Sequence, residues 1–246
     1  MPDPGRAGAE AGRADAWAGR AGPRAGGAGP RAGGAGPAAM IRCVLCDYGE
    51  VISAPLGESA IVALAALAGQ PRGTFLDRYW RGRASYDLGQ PADQYWAQVL
   101  DRDVSGSARL VRRLTDIDVR GWLRVNPLTL RVLEDCARRT GARLALLSNA
   151  PEPLAQGIDR CGWSKQFGQR YYSCRLGVAK PDPQAFRLVL DDLGVPPEQV
   201  LFIDDRADNT STARSLGLHT ITFTGAGDLD RDLRGAGDRG RDLRAL

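Results

Sequence analysis

Four short apolar runs, separated by helical patterns, constrain the fold of this chain more than any other feature. The runs are IRCVLC (41–46), RLALLS (143–148), VLFIDD (200–205) and HTITF (219–223). Strands that are apolar on both faces are typical of parallel sheets covered by helices. Helical patterns lie at about 127–140, 152–161, 183–193 and 208–216, and three of them are followed by Gly141, Gly194 and Gly217. Glycines at such positions are typical helix C-caps, and the alternation predicts a doubly wound α/β domain with a Rossmann-type parallel sheet.

The interval from 55 to 122 breaks this alternation. It contains four helical patterns with no strand between them: ESAIVALAALAG, TFLDRYWRGRASYDLG, ADQYWAQVL and SARLVRRLTDI. The later ones are amphipathic, with apolar residues at helical spacing. We therefore predict a small helical cap at 55–122, inserted into an α/β core made of 40–54 and 123–225.

The two ends of the chain have a different composition. RAGGAGP occurs at 24–30 and again at 31–37, and a segment so rich in Gly and Pro cannot bury enough apolar surface to offset the entropy of ordering it. We predict that 1–39 is a disordered, low-complexity extension. The segment 226–246 repeats RDLR and balances acids against arginines, which predicts a polar tail in solvent.

Charge, cysteine usage and hydropathy exclude several classes of partner. The net charge is +4 and no basic stripe is present, so nucleic acid is not an expected partner. Five cysteines at irregular spacings favour a reducing cytoplasm over a disulfide framework. No stretch approaches the roughly 18 apolar residues of a membrane span, so no membrane association is expected, and the oligomeric state is left open.

Two further residue patterns favour structural roles. Cys43 and Cys46 form a Cys-x-x-Cys pair, but they lie in a predicted strand. Side chains three residues apart in a strand point to opposite faces, so we expect core residues and no shared metal or disulfide. His219 is the single histidine, which argues against a histidine-based triad or zinc site.

Chemically useful side chains follow the apolar runs where those runs end. They are Asp47, the pair Ser148–Asn149, the pair Asp204–Asp205, and Lys180 in a loop before a predicted helix. In a parallel sheet, ligands bind outside the carboxyl ends of the strands. We therefore expect these side chains to converge on one crevice.

This set of residue types suits phosphoryl transfer. A carboxylate such as Asp47 can attack phosphorus to give an aspartyl-phosphate. Mg²⁺ prefers carboxylate and carbonyl oxygens, which Asp47 and Asp205 can supply between the two negative reactants. Ser148 and Lys180 can hold the phosphoryl oxygens.

Four sequence motifs in this order resemble the haloacid dehalogenase-like hydrolase superfamily. They are DYGEV (47–51), LLSN (146–149), KPDP (180–183) and FIDDRADN (202–209), and the resemblance extends from 41 to about 224. The first motif, read as D-x-G-x-V, is similar to that of a capped phosphatase branch that includes sugar-1-phosphate phosphatases. The position of the helical interval at 55–122 matches the first type of cap found in the family.

The resemblance assigns a role to each motif residue. It implies that Asp47 is the nucleophile, that Lys180 acts with it, and that Ser148, Asn149 and Lys180 bind the phosphoryl group. It implies a Mg²⁺ site formed by Asp47, the backbone carbonyl of Gly49 and Asp205, with Asp204 and Asn209 supporting it. The expected activity is that of a Mg²⁺-dependent phosphomonoesterase acting on a small phosphorylated metabolite.

Gly49 departs from the family pattern. Family phosphatases usually carry a second aspartate at this position, where it serves as general acid and base. Glu50 is the nearest acid in sequence, and we expect its position at a strand end to point it elsewhere. Two alternatives therefore stay open: a metal-independent 2-haloacid dehalogenase, and a non-catalytic binding or regulatory protein with the same fold.

The predicted cap contains one group of residues whose role is open. The segment DRYWRGRASYDLGQ includes Tyr79, Trp80, Arg83, Tyr86 and Asp87. Its apolar members could form the core of the helical bundle. Arg83 or Tyr86 could instead face the crevice and contact the substrate.

Overall fold

The computed structural model describes residues 40–238, so the extension expected at 1–39 lies outside the described residues. A parallel sheet of five strands forms the centre of the fold. The strands are β1 (Cys43–Cys46), β2 (Arg143–Ser148), β3 (Phe167–Tyr172), β4 (Val200–Asp204) and β5 (His219–Thr222). Their order in the sheet is β3-β2-β1-β4-β5. This topology confirms the predicted doubly wound α/β fold.

Strand β1 occupies the middle of the sheet. Cys43 pairs in register with Arg143 on β2 and with Val200 on β4, and all four residues of β1 are buried. From β1 the chain runs outward through β2 and β3, then returns to β4 on the other side. The carboxyl ends of β1 and β4 therefore form the switch point of the sheet, where ligands bind in open α/β folds.

Eleven α-helices and two short 3-10 helices, Gly162–Gln166 and Pro197–Gln199, are found in the described part of the chain, 40–238. Six of them lie between β1 and β2, and the first five form one helical segment: α1 (Glu58–Ala68), α2 (Arg72–Arg81), α3 (Arg83–Asp87), α4 (Ala92–Leu100) and α5 (Ala108–Trp122). The others alternate with the strands: α6 (Pro127–Thr140), α7 (Glu152–Arg160), α8 (Ser173–Leu176), α9 (Pro183–Leu193), α10 (Ala207–Ser215) and α11 (Ala226–Asp238). Asn126 caps the N-terminus of α6 through its side chain, and Gly141 ends that helix with a positive φ of 73°.

The helices α1–α5 leave and re-enter the core at one place. An antiparallel bridge joins Ser53 to Val125. It is continued by hydrogen bonds from Ala54 N to Arg124 O at 2.6 Å and from Asn126 N to Ile52 O at 2.7 Å. These contacts bring the two ends of the five-helix segment together directly after the Asp47 loop.

Strand β3 was not predicted from the sequence. It lies at the edge of the sheet, and among the strands of residues 40–238 it pairs only with β2. Its middle residues, from Gly168 to Tyr171, are partly or fully exposed, and only its first and last residues are buried. An edge strand of this kind lacks the continuous apolar run that identified the other four strands.

The expected polar tail at 226–246 is partly wrong, because residues Ala226–Asp238 form helix α11. Leu229 and Leu233 are buried in the main hydrophobic cluster, and α11 contacts α6. These two leucines are one helical turn apart and form a narrow apolar stripe among charges of both signs. The last residues of the expected tail, 239–246, lie outside the described residues.

The two cysteines of β1 pack into different hydrophobic clusters. Cys43 belongs to the cluster that contains Phe186 and Phe202, whereas Cys46 belongs to the larger cluster on the other face. Both are free thiols, as predicted from the strand geometry. Within 40–238, no helix has the length and apolar character that a membrane crossing requires.

Candidate active site

A pocket of about 560 Å³ lies at the carboxyl ends of β1, β2 and β4. This volume is in the usual range of small-molecule sites. The sheet side of the pocket contains Asp47, Gly49, Glu50, Ser148, Asn149, Lys180, Asp205 and Asn209. The opposite wall comes from the five-helix segment and contains Trp80, Arg83, Ala84, Asp87 and Trp122. The predicted convergence of the strand-end side chains is therefore observed.

Lys180 joins the ends of β1 and β4. Its Nζ atom lies 2.6 Å from Asp47 Oδ1 and 2.7 Å from Asp204 Oδ2, and its side chain is only 1% exposed. Burial lowers the pKa of Lys180, but the two carboxylates outweigh that effect and the pKa is raised overall. The ammonium group has three donors, so one of them remains for a bound ligand.

Asp47 has one oxygen engaged and one free. Oδ1 forms the ion pair with Lys180 and accepts a hydrogen bond from Tyr48 N at 2.7 Å. Oδ2 has no protein partner within the described residues. Burial raises the pKa of Asp47 to about 7, Lys180 opposes that shift, and Asp204 adds to it. The Lys180 ammonium favours the ionised carboxylate that nucleophilic attack requires.

Asn149 positions the Lys180 loop. Its Nδ2 atom donates to Lys180 O at 2.8 Å, and its Oδ1 atom accepts from Lys180 N at 2.9 Å. Asp182 then caps α9 by accepting from Gln184 N at 2.8 Å. Both polar atoms of the Asn149 side chain are therefore engaged by the Lys180 backbone. This geometry favours a positioning role over the expected phosphate-binding role, which stays a prediction.

Asp204 is held by several donors and is fully buried. Asn209 Nδ2 donates to its two carboxylate oxygens at 2.9 and 3.0 Å, and Arg206 N donates at 2.9 Å. Together with Lys180, these contacts occupy both oxygens, as expected for a supporting residue. Asn209 Oδ1 is buried and has no hydrogen-bond partner among the residues described.

The acidic residues of the pocket fit a divalent cation. One oxygen from each of Asp47, Asp204 and Asp205 lies within 4.8 Å of the others. Burial raises the pKa of Asp205, and the nearby charges of Asp204 and Glu50 raise it further. A hard cation with oxygen ligands would relieve this repulsion. Asp47 Oδ2 and the Asp205 carboxylate are the available side-chain ligands, and Gly49, which also lines the pocket, has a backbone carbonyl.

Ser148 ends β2 and lines the pocket. Its side chain is 2% exposed, and its hydroxyl makes no hydrogen bond to the protein atoms that the structure describes. A Ser hydroxyl can donate to a phosphoryl oxygen. Its placement is compatible with the predicted phosphate-binding role.

Gly49 and Glu50 form the turn after Asp47. A Cβ atom built on Gly49 would meet nothing within 4 Å, so the position of the missing second aspartate is open space. Glu50 has a φ of 55°, and its N–H donates to Ser53 Oγ at 3.1 Å. Glu50 is exposed and lines the pocket, and the expectation that its side chain points elsewhere stays a prediction.

The question left open for Arg83 and Tyr86 has a clear structural answer. Tyr86 is 1% exposed, stacks on Tyr95 with ring centroids 4.1 Å apart, and belongs to the helical core. Arg83 is also largely buried, but it lines the pocket. Its charge is partly offset by Asp87, whose carboxylate lies 2.9 Å from Arg83 Nε.

Comparison with known proteins supports a hydrolase. A family model described as haloacid dehalogenase-like hydrolase matches residues 41–217. The chain is 29% identical over 174 residues to a phosphoglycolate phosphatase from Rhodospirillum rubrum, a match covering 70% of this chain and 66% of the relative. It spans only 13%, 14% and 8% of three other curated relatives, which are much longer proteins.

Solved structures with the same fold include both phosphate-binding and dehalogenating enzymes. One is a family enzyme from Bacteroides thetaiotaomicron in complex with magnesium and inorganic phosphate, with a TM-score of 0.60, 21% identity, and coverage of 74% of this chain and 93% of that one. Another is an L-2-haloacid dehalogenase, with a TM-score of 0.55, 24% identity, and coverage of 73% and 83%. At these identities the likeness shows the fold.

Proposed function

We propose that this chain, which belongs to the haloacid dehalogenase-like hydrolases, is a Mg²⁺-dependent phosphomonoesterase that acts on a small phosphorylated metabolite through an aspartyl-phosphate. One observation carries the proposal: Asp47 lies between the Lys180 ammonium and a cluster of carboxylates, with one oxygen facing an open pocket. The similarity to a phosphoglycolate phosphatase supports the same choice.

The residues of the pocket divide the reaction between them. Asp47 Oδ2 attacks phosphorus, an O–P bond forms, and the bond to the ester oxygen breaks with its electron pair leaving on that oxygen. Lys180 and Ser148 donate to the equatorial phosphoryl oxygens, where negative charge accumulates. A water molecule then attacks the aspartyl-phosphate, which releases phosphate and regenerates the Asp47 carboxylate.

The acidic cluster fits Mg²⁺ in this scheme. When bound, the cation would supply positive charge between the attacking carboxylate and the phosphoryl group. Asp205 and Asp47 would hold it, and Asp204 would fix the position of Lys180 beside it. Asn209 supports Asp204 through two hydrogen bonds.

The test is phosphate release from p-nitrophenyl phosphate with Mg²⁺ and then with excess EDTA. We expect turnover that EDTA abolishes and that added Mg²⁺ restores. Asp47→Asn should be inactive, whereas Asp191→Asn, at an exposed position on α9, is the matched control and should keep full activity. Release of phosphate by Asp47→Asn at the wild-type rate would remove Asp47 as the nucleophile.

The two alternatives give different results in the same experiment. A 2-haloacid dehalogenase would release chloride from chloroacetate without metal and would leave phosphate esters intact. A non-catalytic protein would do neither, although it could still bind phosphate. The carboxylate cluster around Asp205 favours the cation-dependent reaction over both.

A further inference from the structure

The wall of the pocket opposite Asp47 carries a buried ion pair. Arg83 Nε donates to Asp87 Oδ1 at 2.9 Å, and the two side chains are 9% and 14% exposed. Arg83 Nη1 donates to Tyr79 OH at 2.5 Å, and Tyr79 OH donates to Asp118 Oδ1 at 2.5 Å. Trp122 Nε1 also donates to the Tyr79 hydroxyl, at 2.9 Å. The pair is therefore held rigidly from behind.

One polar atom of each partner is free of hydrogen bonds within the described residues. Arg83 Nη2 and Asp87 Oδ2 make no hydrogen bond to any residue within 40–238. Both atoms are at least partly accessible to solvent. Both residues line the pocket that contains Asp47. The wall thus presents a donor and an acceptor close together, which suits a hydroxyl group because a hydroxyl can accept from one and donate to the other.

The charge around Arg83 does not suit a second anion. Asp118 Oδ2 lies 3.5 Å from Arg83 Nη1 and is almost fully buried, so one guanidinium serves two carboxylates. Burial raises the pKa of Asp87 to about 6 and also raises that of Asp118, while Arg83 opposes both shifts. Even if one of the two carboxyl groups holds a proton, the cluster carries no net positive charge.

Aromatic side chains flank the ion pair. Trp80 is 49% exposed and lines the pocket together with Trp122. Their rings meet edge to face with centroids 6.2 Å apart. They provide an apolar surface for the carbon skeleton of a ligand whose hydroxyl groups reach Arg83 and Asp87.

The position of this wall is tied to the phosphoryl site. Ser173 Oγ donates to Asp87 O, and it accepts from Ala150 N at 3.0 Å. Ala150 follows Asn149 directly at the end of β2. The end of α3 is thereby connected to the loop that positions Lys180.

We propose that Arg83 and Asp87 form a specificity site that binds an uncharged, hydroxyl-bearing part of the substrate and disfavours a second anionic group. The proposal rests on the proposed phosphatase function, because the phosphate must occupy the Asp47 side of the pocket. It predicts that this chain discriminates against small phosphates with a carboxylate, of which phosphoglycolate is one.

Three aryl phosphates test the proposal at constant leaving-group chemistry. They are para-ethylphenyl, para-hydroxyethylphenyl and para-carboxymethylphenyl phosphate. At least one methylene separates the terminal methyl, hydroxyl or carboxylate group from the ring, so the basicity of the phenol changes little along the series. Binding is measured by calorimetry to Asp47→Asn in the presence of Mg²⁺, at a pH well above the pKa of Asp87, and kcat/KM is measured with the unmodified protein.

We expect the hydroxyethyl ester to bind about tenfold more tightly than the other two, as for one hydrogen bond to a charged group. In a double variant that carries Asp87→Asn as well as Asp47→Asn, the hydroxyethyl and carboxymethyl esters should bind with nearly equal affinity, a ratio close to one. Asp101→Asn is the matched control, because it removes a carboxylate of the same helical segment that is paired with Arg78 at the surface. It should leave the ratio unchanged.

Three results would overturn the proposal: equal binding of all three esters, tightest binding of the carboxymethyl ester, or a ratio that Asp87→Asn does not alter. If Asp87→Asn does not fold, the proposal is still tested by the order in which the three esters bind to the protein with an intact Arg83–Asp87 pair. If the binding order holds but the unmodified protein hydrolyses none of the esters, the proposed phosphatase function fails and the specificity site stands.

Discussion

Gly49→Asp should restore a general acid to the proposed reaction. The Cβ of a residue at position 49 would meet nothing within 4 Å, and the φ of Gly49 lies outside the left-handed region. The backbone therefore accepts an aspartate without strain. Asp47 needs no such partner for its own attack, because attack requires an ionised carboxylate and no base. The acid is needed to protonate the leaving oxygen and then to activate water.

The size of the effect follows from the charges in the pocket. A positioned general acid is typically worth about 10²- to 10⁴-fold in rate. The new carboxyl group would stand near Asp47, Glu50 and Asp205, which raise its pKa and keep it protonated as an acid. The same charges weaken the binding of a phosphate dianion. We therefore expect a gain near the lower limit, about 10²-fold in kcat/KM, confined to alkyl phosphates with basic leaving groups.

The assay is a series of phosphate esters with leaving groups of graded pKa, from aryl to simple alkyl. In the unmodified protein, kcat/KM should fall steeply as the leaving group becomes more basic. Gly49→Asp should flatten that dependence, whereas Gly49→Asn has nearly the same shape, cannot donate the proton, and should not.

A flat dependence in the unmodified protein would refute this account of Gly49, because another group would then supply the proton. Glu50 is the first candidate, since it lines the pocket. Glu50→Gln would then steepen the dependence, and a steepening of that kind would assign the acid to Glu50.

Three further predictions address the nucleophile, the cation site and the ion pair of the helical wall. Asp47→Asn should lower turnover by at least about 10⁴-fold with little change in melting temperature, because the volume is kept; turnover near the wild-type rate would contradict the assigned role. Asp205→Ala should raise the Mg²⁺ concentration for half-maximal activity by at least about tenfold, and an unchanged metal titration would remove Asp205 from the site. The pKa of Asp87 is raised to about 6 from 3.8, chiefly by burial and against the opposing effect of Arg83, so the folded chain takes up this proton before the unfolded chain does. The wild type should therefore gain stability relative to Asp87→Asn as the pH falls from roughly 7 to 4, and the difference between their free energies of unfolding should rise by up to about 3 kcal/mol. Urea denaturation of both proteins measures this difference, and a difference that does not vary with pH would contradict the prediction.

The central strands and the residues that follow them could be predicted because both depend on short-range patterns. Strand β2 has the predicted bounds, Arg143–Ser148, and helix α9 has the predicted bounds, Pro183–Leu193. A strand buried on both faces must be apolar at every position, and its carboxyl end must meet the ends of its parallel neighbours. Asp47 and Lys180 could therefore be assigned to one site although they are far apart in sequence.

Elements at the margins of the fold carry weaker signals. Strand β3 has one neighbouring strand and exposes its middle residues, so neither an apolar run nor a regular alternation identifies it. Among residues 226–234, helix α11 buries Ala226, Leu229 and Leu233, a narrow apolar stripe among charged residues. In both cases the tertiary contact, which the local sequence does not specify, decides the structure.

The role of Arg83 in the wall of the pocket could not be predicted from sequence patterns. Tyr79, Arg83 and Asp87 are spaced four residues apart, which predicts that they share one side of the helical segment. The same spacing fits a closed structural ion pair and an open specificity site equally well. Asp118 decides between the two, because it arrives from α5 and engages Tyr79 OH and Arg83 Nη1 from behind. With those groups occupied, Arg83 Nη2 and Asp87 Oδ2 remain without a hydrogen bond in two residues that line the pocket. A contact 35 residues away in sequence thereby determines which atoms stay available to a substrate.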